Sequence, residues 1–185
     1  MMELISRNKL NSVCVFCSTF NPENLFIDHV NQLVELLCEN NIRVIYGGGN
    51  TGIMGQLATG IIKNGGNVTG VIPEFLYEKI QPLNDLSETI ICKNMHERKM
   101  KMYNLSDAFI VLPGGIGTVD EMTEALTWSQ LGLHNKRTII ANFENYWLPY
   151  LRLLEHLHTF KYLKDMSVVN YHIANNSKEI IDLLL

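Results

Sequence analysis

Short apolar runs alternate along this chain with longer stretches whose apolar residues recur every three or four positions. That rhythm limits the possible folds more than any other feature. Ser12–Cys17, Arg43–Tyr46, Asn67–Ile72, Glu88–Cys92, Ala108–Leu112 and Thr138–Asn142 read as strands. Between and after them, Leu25–Asn40, Thr51–Asn64, Met95–Leu105, Gly117–Leu131, Tyr146–His158 and Lys178–Leu185 read as helices. In the first helix Phe26, Val30, Leu33, Val34 and Leu37 share one face. Parallel strands need long crossover connections, and helices supply them. The runs are nearly all apolar, as burial on both sheet faces requires. The expected fold is α/β, a doubly wound parallel sheet. The 185 residues suit a single domain spanning 1–185, with residues 1–11 as an N-terminal extension. Phe75–Ser87 is the longest irregular stretch, either a flap over a site or only a connection. No repeat or linker is apparent.

Open α/β sheets bind ligands beyond the carboxyl ends of their strands. Two glycine clusters lie there. Gly47-Gly48-Gly49-Asn50-Thr51-Gly52 follows a strand and opens a helix. It has the spacing of a dinucleotide fingerprint but lacks the acidic residue expected about 20 positions later. Ile53 stands where a P-loop carries lysine. The cluster serves close approach of a ligand, or a tight turn with close helix–sheet packing.

Pro113-Gly114-Gly115-Ile116-Gly117-Thr118 is the sharper signal. Glycines admit a phosphate to the backbone, and the following helix N-terminus offers free N–H donors and partial positive charge. Thr118-x-x-Glu121 also has the form of a capping box. Glu121 therefore either bonds back to Thr118 or faces an electron-poor centre such as the anomeric carbon of a ribose. Arg98 and Lys99 fall in the first turn of the helix capped by Asn94 and Glu97. Cations there oppose the helix dipole, so an anion or carboxylate partner is expected. The other reading is a solvated basic face that Lys101 continues.

Other chemistry is poorly supported. Cys14 and Cys17 form a C-x-x-C inside a strand pattern, which points them to opposite faces. They read as core residues in a reducing compartment. The six histidines show no metal-ligand spacing. No cofactor is expected. A net charge of −4 argues against a nucleic-acid partner. No stretch is long enough to span a membrane, and Met1–Asn11 does not resemble a signal peptide. The expected location is cytoplasmic.

Taken in order, Gly47-Gly48-Gly49 with Gly52-Ile53-Met54-Gly55, Val71-Ile72-Pro73, Met95-His96-Glu97-Arg98-Lys99, Pro113-Gly114-Gly115-Ile116-Gly117-Thr118 with Glu121, and Thr127-Trp128-Ser129-Gln130-Leu131-Gly132 resemble the Lonely Guy family. These are cytokinin riboside 5′-monophosphate phosphoribohydrolases, and some bacterial members act on AMP itself. The resemblance runs from about Ser12 to Leu157. It implies a Rossmann-like fold, a homodimer, and hydrolysis of a nucleoside monophosphate to free adenine-type base and ribose 5-phosphate. By resemblance Arg98 and Glu121 are the catalytic pair. Ser18, Gly48, Gly49, Met95, Lys99, Gly114, Gly115, Ile116, Gly117, Thr118, Val119, Asp120 and Thr127 would line the nucleotide site. Three positions depart from the family pattern. Ser18 replaces a glycine, Asp120 stands where Glu is common, and Lys136-Arg137 replaces Lys-Pro. The alternative is a carrier of similar fold that holds a nucleotide or molybdenum cofactor without turnover.

Overall fold

The computed structural model describes residues 10–163 and 165–185. Residues 1–9 of the expected N-terminal extension lie outside them. Seven strands form one sheet: β1 (Ser12–Phe16), β2 (Arg43–Tyr46), β3 (Val68–Pro73), β4 (Glu88–Cys92), β5 (Ala108–Val111), β6 (Thr138–Ala141) and β7 (Tyr171–Ala174). Their order is β4-β3-β2-β1-β5-β6-β7, with every pair parallel. The sheet is thus doubly wound about β1, where Val13 lies opposite both Val44 and Ala108. The order reverses between β1 and β5, and such a switch point opens a crevice at the carboxyl ends.

Seven α-helices accompany the sheet among the described residues: α1 (Ile27–Glu39), α2 (Gly52–Lys63), α3 (Glu74–Ile80), α4 (Met95–Asn104), α5 (Ile116–Gln130), α6 (Leu148–Thr159) and α7 (Ser177–Leu184). The faces of the sheet carry separate apolar layers. Val30, Leu33 and Leu37 of α1, Leu57 and Ile61 of α2, and Ile180 and Leu184 of α7 cover one face. Met102 and Tyr103 of α4, Met122 and Ala125 of α5, and Leu151 and Leu154 of α6 cover the other. Side chains as fully buried as Leu33 and Leu37 contribute about 1.5–3 kcal/mol each. Cys14 belongs to the second layer and Cys17 to the first, the opposite-face placement their spacing predicts. No helix among the described residues is long and apolar enough to cross a membrane.

Three features escaped the sequence reading. The stretch expected to be irregular begins with α3, which buries none of its own residues and so shows no apolar period. β7 has only one buried residue, Ala174, and carries no alternating signal. A six-residue pattern also occurs twice: Asn21-Pro22-Glu23-Asn24-Leu25-Phe26 after β1 and Asn142-Phe143-Glu144-Asn145-Tyr146-Trp147 after β6. Both copies form the same turn, with the Glu-Asn pair in the left-handed region.

Several turns rest on glycine for lack of space. Gly52 has φ +59°, and a Cβ there would come within 2.2 Å of the Thr19 carbonyl carbon. Gly52→Ala is therefore expected to destabilise the chain by about 2–4 kcal/mol, since both the backbone strain and the clash resist relief. Urea denaturation measures the loss.

Candidate active site

Asn94 caps α4, its Oδ1 accepting from the Glu97 N–H at 3.0 Å. Glu97 reaches back to accept from the Lys93 N–H at 2.9 Å. These two bonds start the helix at Met95 and fix where Arg98 emerges. The Arg98 side chain is buried. Its Nε donates to the Val71 carbonyl at 3.1 Å, and its Nη1 meets Glu121 Oε1 at 3.1 Å. Gly47 makes the room, since a Cβ there would come within 2.2 Å of Arg98 Nη2.

Glu121 arrives from α5, whose N-cap is Gly115 rather than Thr118. Thr118 lies inside the first turn and Glu121 does not bond back to it, so the capping-box alternative falls. Burial pushes the Glu121 carboxyl up from its ordinary range, opposed by the positive charges of Arg98 and Lys99. Lys99 sits beside the pair, with Nζ 2.7 Å from Asp120 Oδ2 and 3.4 Å from Glu124 Oε1. Burial pulls the Lys99 pKa down, but its bonds and attraction to these two carboxylates outweigh that and raise it overall. The carboxylate partner expected for Arg98 and Lys99 is thus supplied by α5.

The remaining candidates divide. Gly114, Gly115 and Ser18 border a cavity of about 300 Å³ with Phe20, Pro22, Leu25, Phe26, Ile53, Pro113 and Tyr146. It lies between the ends of β1 and β5, at the switch point. Ser18 Oγ accepts from the Phe20 N–H at 2.9 Å, and the Ser18 carbonyl accepts from the Met54 N–H at 2.9 Å. Arg98 and Glu121 do not line this cavity. The Gly114–Thr118 turn links the two places, because Thr118 is one helical turn from Glu121 on the same buried face.

Gly114 is required by packing, since its Cβ would fall 2.1 Å from Thr118 Oγ1. Added Cβ atoms at Gly115 and Gly117 would meet nothing within 4 Å, and both residues are exposed. Ile116 is 86% exposed. Asp120 is exposed and Val119 half-buried against the core. The α5 N-terminus therefore opens to solvent with its backbone donors uncovered.

The first glycine cluster is mostly absorbed by the fold. Gly48, at φ +80°, packs against Ile72, and Gly49 packs against Met54 and Thr19. Met95 is half-buried at the start of α4. Thr127 stands apart: it is exposed, its hydroxyl donates to the Thr123 carbonyl, and it lies about 9 Å along α5 from Glu121. Among the described residues no group of three or more His, Cys, Asp or Glu side chains suits a metal ion. Sequence reasoning missed Tyr146, whose hydroxyl donates to the Gly114 carbonyl at 2.8 Å. Its only signal was the repeated six-residue pattern.

The ion pair joins α4 to α5 where little water reaches, so losing one partner strands the other. Glu121→Ala is expected to cost about 3–5 kcal/mol of folding stability, and replacing both partners with apolar residues of similar volume much less. Chemical denaturation of the single and double variants separates the two cases.

A family model described as possible lysine decarboxylase matches residues 54–184. A probable cytokinin riboside 5′-monophosphate phosphoribohydrolase of Oryza sativa subsp. japonica is 41% identical over 150 residues, covering 80% of this chain and 67% of that protein. A cytokinin riboside 5′-monophosphate phosphoribohydrolase of Arabidopsis thaliana is 33% identical over 184 residues, covering 99% of this chain and 80% of the relative. Among solved structures, the molybdenum cofactor carrier protein of Chlamydomonas reinhardtii superposes with a TM-score of 0.67 at 16% identity, covering 95% of this chain and 96% of that one. That likeness is one of fold alone. On the family match and the two sequence relatives, this chain belongs to the cytokinin riboside 5′-monophosphate phosphoribohydrolase family.

Proposed function

We propose that this chain hydrolyses the N-glycosidic bond of an adenosine 5′-monophosphate, N6-substituted or plain, to free base and ribose 5-phosphate. The buried Arg98–Glu121 pair beside an open helix N-terminus carries the reading. The 5′-phosphate would lie on the Gly114–Thr118 turn, where exposed N–H donors and the α5 dipole favour an anion. Gly115 and Gly117 support this, because the fold leaves room for a side chain at both positions. A phosphate in contact with the backbone would use that room.

Breaking the bond from ribose to base builds positive charge on the sugar, as in glycoside hydrolysis. A carboxylate fixed near that carbon stabilises the charge or activates the attacking water. Glu121 takes this role. Overall, water supplies the hydroxyl that replaces the base on the anomeric carbon, and the departing base gains the proton. Arg98 holds Glu121 and orients the nucleotide. It is not the proton donor, because a guanidinium does not give up its proton in proteins. Lys99 would exchange Asp120 for substrate as the nucleotide enters. The family relationship also supports a homodimer, in which Thr127 would act near a subunit boundary rather than beside its own Glu121.

Glu121→Gln is expected to lower kcat by about 10²–10⁴-fold while nucleotide binding largely survives. Base release followed chromatographically, with AMP and isopentenyladenosine monophosphate, gives the number. Near-normal turnover would remove Glu121 from the mechanism. Nucleotide binding by the unaltered chain without base release would favour a carrier. Because burial raises the Glu121 pKa above its ordinary 4.5, and the carboxylate is the working form, turnover should fall as pH drops through a value above 4.5. Gly117→Ala makes a separate test. It should leave stability unchanged or raise it by about 0.5–1 kcal/mol, as alanine does within a helix. It should weaken nucleotide binding, and paired denaturation and binding measurements read both effects.

A further inference from the structure

The turn after β1 and the turn after β6 share the pattern Asn-x-Glu-Asn followed by two apolar residues. In each, the glutamate and asparagine adopt positive φ: 54° and 52° at Glu23 and Asn24, 50° and 60° at Glu144 and Asn145. The bonding also matches. Leu25 N–H donates to the Pro22 carbonyl at 3.2 Å, and Tyr146 N–H to the Phe143 carbonyl at 2.9 Å. Two such left-handed residues in sequence are costly for side chains other than glycine. The pair of turns brings Phe26 from the first copy against Tyr146 from the second, edge to face with ring centroids 5.5 Å apart. The Trp147 ring also meets Tyr146 edge to face, with centroids 5.0 Å apart. Phe26 and Trp147 are both buried, and the Tyr146 ring, 40% exposed, packs against them at the surface.

The turn itself does not need a hydroxyl. The position equivalent to Tyr146 in the first copy is Leu25, and the backbone there is the same. What the hydroxyl adds is its 2.8 Å bond to the Gly114 carbonyl. A trans peptide is planar, so the Gly115 N–H points opposite to the Gly114 carbonyl. Fixing one end of that unit aims the other. Gly115 is exposed, its N–H has no partner among the described residues, and nothing lies within 4 Å of where its Cβ would be.

We propose that Tyr146 is a positioning residue: its hydroxyl holds the Gly114–Gly115 peptide so that the Gly115 N–H faces the phosphate of the bound nucleotide. The inference rests on the nucleotide reading of this site given above. Tyr146 does not touch the reacting bond. It acts by preorganising a donor that would otherwise turn with its flexible Gly-Gly peptide.

Tyr146→Phe keeps the ring and its aromatic neighbours and removes only the hydroxyl. Wild type and variant are compared for KM and kcat with AMP and isopentenyladenosine monophosphate, and for binding of ribose 5-phosphate and of adenosine. The expected result is a rise of about five- to tenfold in the nucleotide KM and in the ribose 5-phosphate Kd, the size of one lost neutral hydrogen bond. The value of kcat should stay within about twofold, the mark of an interaction made equally in ground and transition states. Adenosine, which has no phosphate, should bind both proteins alike, and any fall in Tm should stay within the few degrees that one lost hydrogen bond explains. Unchanged ribose 5-phosphate affinity would overturn the proposal, as would equal weakening toward adenosine, or a lower Tm with KM unchanged. If wild type binds ribose 5-phosphate without releasing base from either nucleotide, the hydrolase reading fails. The effect of Tyr146→Phe on ribose 5-phosphate binding still decides the role of the hydroxyl.

Discussion

A guanidinium and a carboxylate 3.1 Å apart, nearly shut off from water, tie α4 to α5. Desolvating two charges costs several kcal/mol each, and their attraction offsets that only when the geometry is good and the remaining donors find acceptors. Several neighbouring features serve this one condition. Gly47 has no side chain because the guanidinium occupies its space. The Val71 carbonyl, near the end of β3, takes the Nε proton. The Asn94 cap, with Glu97 holding the Lys93 N–H before it, sets the helix start that aims Arg98. Lys99 and its two carboxylates close the arrangement on the solvent side. An arrangement with so little slack holds Glu121 in one place, the preorganisation that its proposed electrostatic role requires.

The two glycine clusters look alike as sequence but differ physically. In the first, Gly47 yields to a charged side chain, Gly48 to Ile72, Gly52 to the Thr19 backbone and Gly55 to the Asn50 backbone. Both readings of that cluster were open from the residues alone, and packing accounts for most of it. In the second, only Gly114 is crowded by its own chain. Glycine for which the fold has no use, at a helix N-terminus facing solvent, is better understood through the phosphate proposed to bind there. The switch point between β1 and β5 puts that open turn beside an apolar cavity and one helical turn from the carboxylate.

Much of the fold was legible because apolar residues keep time with the element that buries them. Val30, Leu33, Val34 and Leu37 mark α1 as clearly as Ala108–Val111 marks β5. Elements with little to bury left no such trace, which is why α3 and the edge strand β7 went unread. Among the site residues, Arg98 and Glu121 stood out by type and position, but their pairing across 23 residues could not be read from spacing. The capping-box pattern at Thr118 was a false cue, since the helix begins two residues before it and is capped by Gly115. Tyr146 was invisible because its bond to Gly114 spans 32 residues and depends on a turn whose unusual backbone has no glycine to announce it.

The split of Cys14 and Cys17 between the two apolar layers has a practical consequence. Both thiols are fully enclosed and burial raises their pKa, so thiol reagents meet them only when a layer opens. Cys17 reports on the layer of α1, α2 and α7, and Cys14 on that of α4, α5 and α6. Cys38 also packs on the first layer and Cys92 lies in the second, so with those two replaced the chain would carry one chemical clock for each half of its sandwich. Comparing their labelling rates would reveal whether the layer that bears the ion pair is also the last to let go.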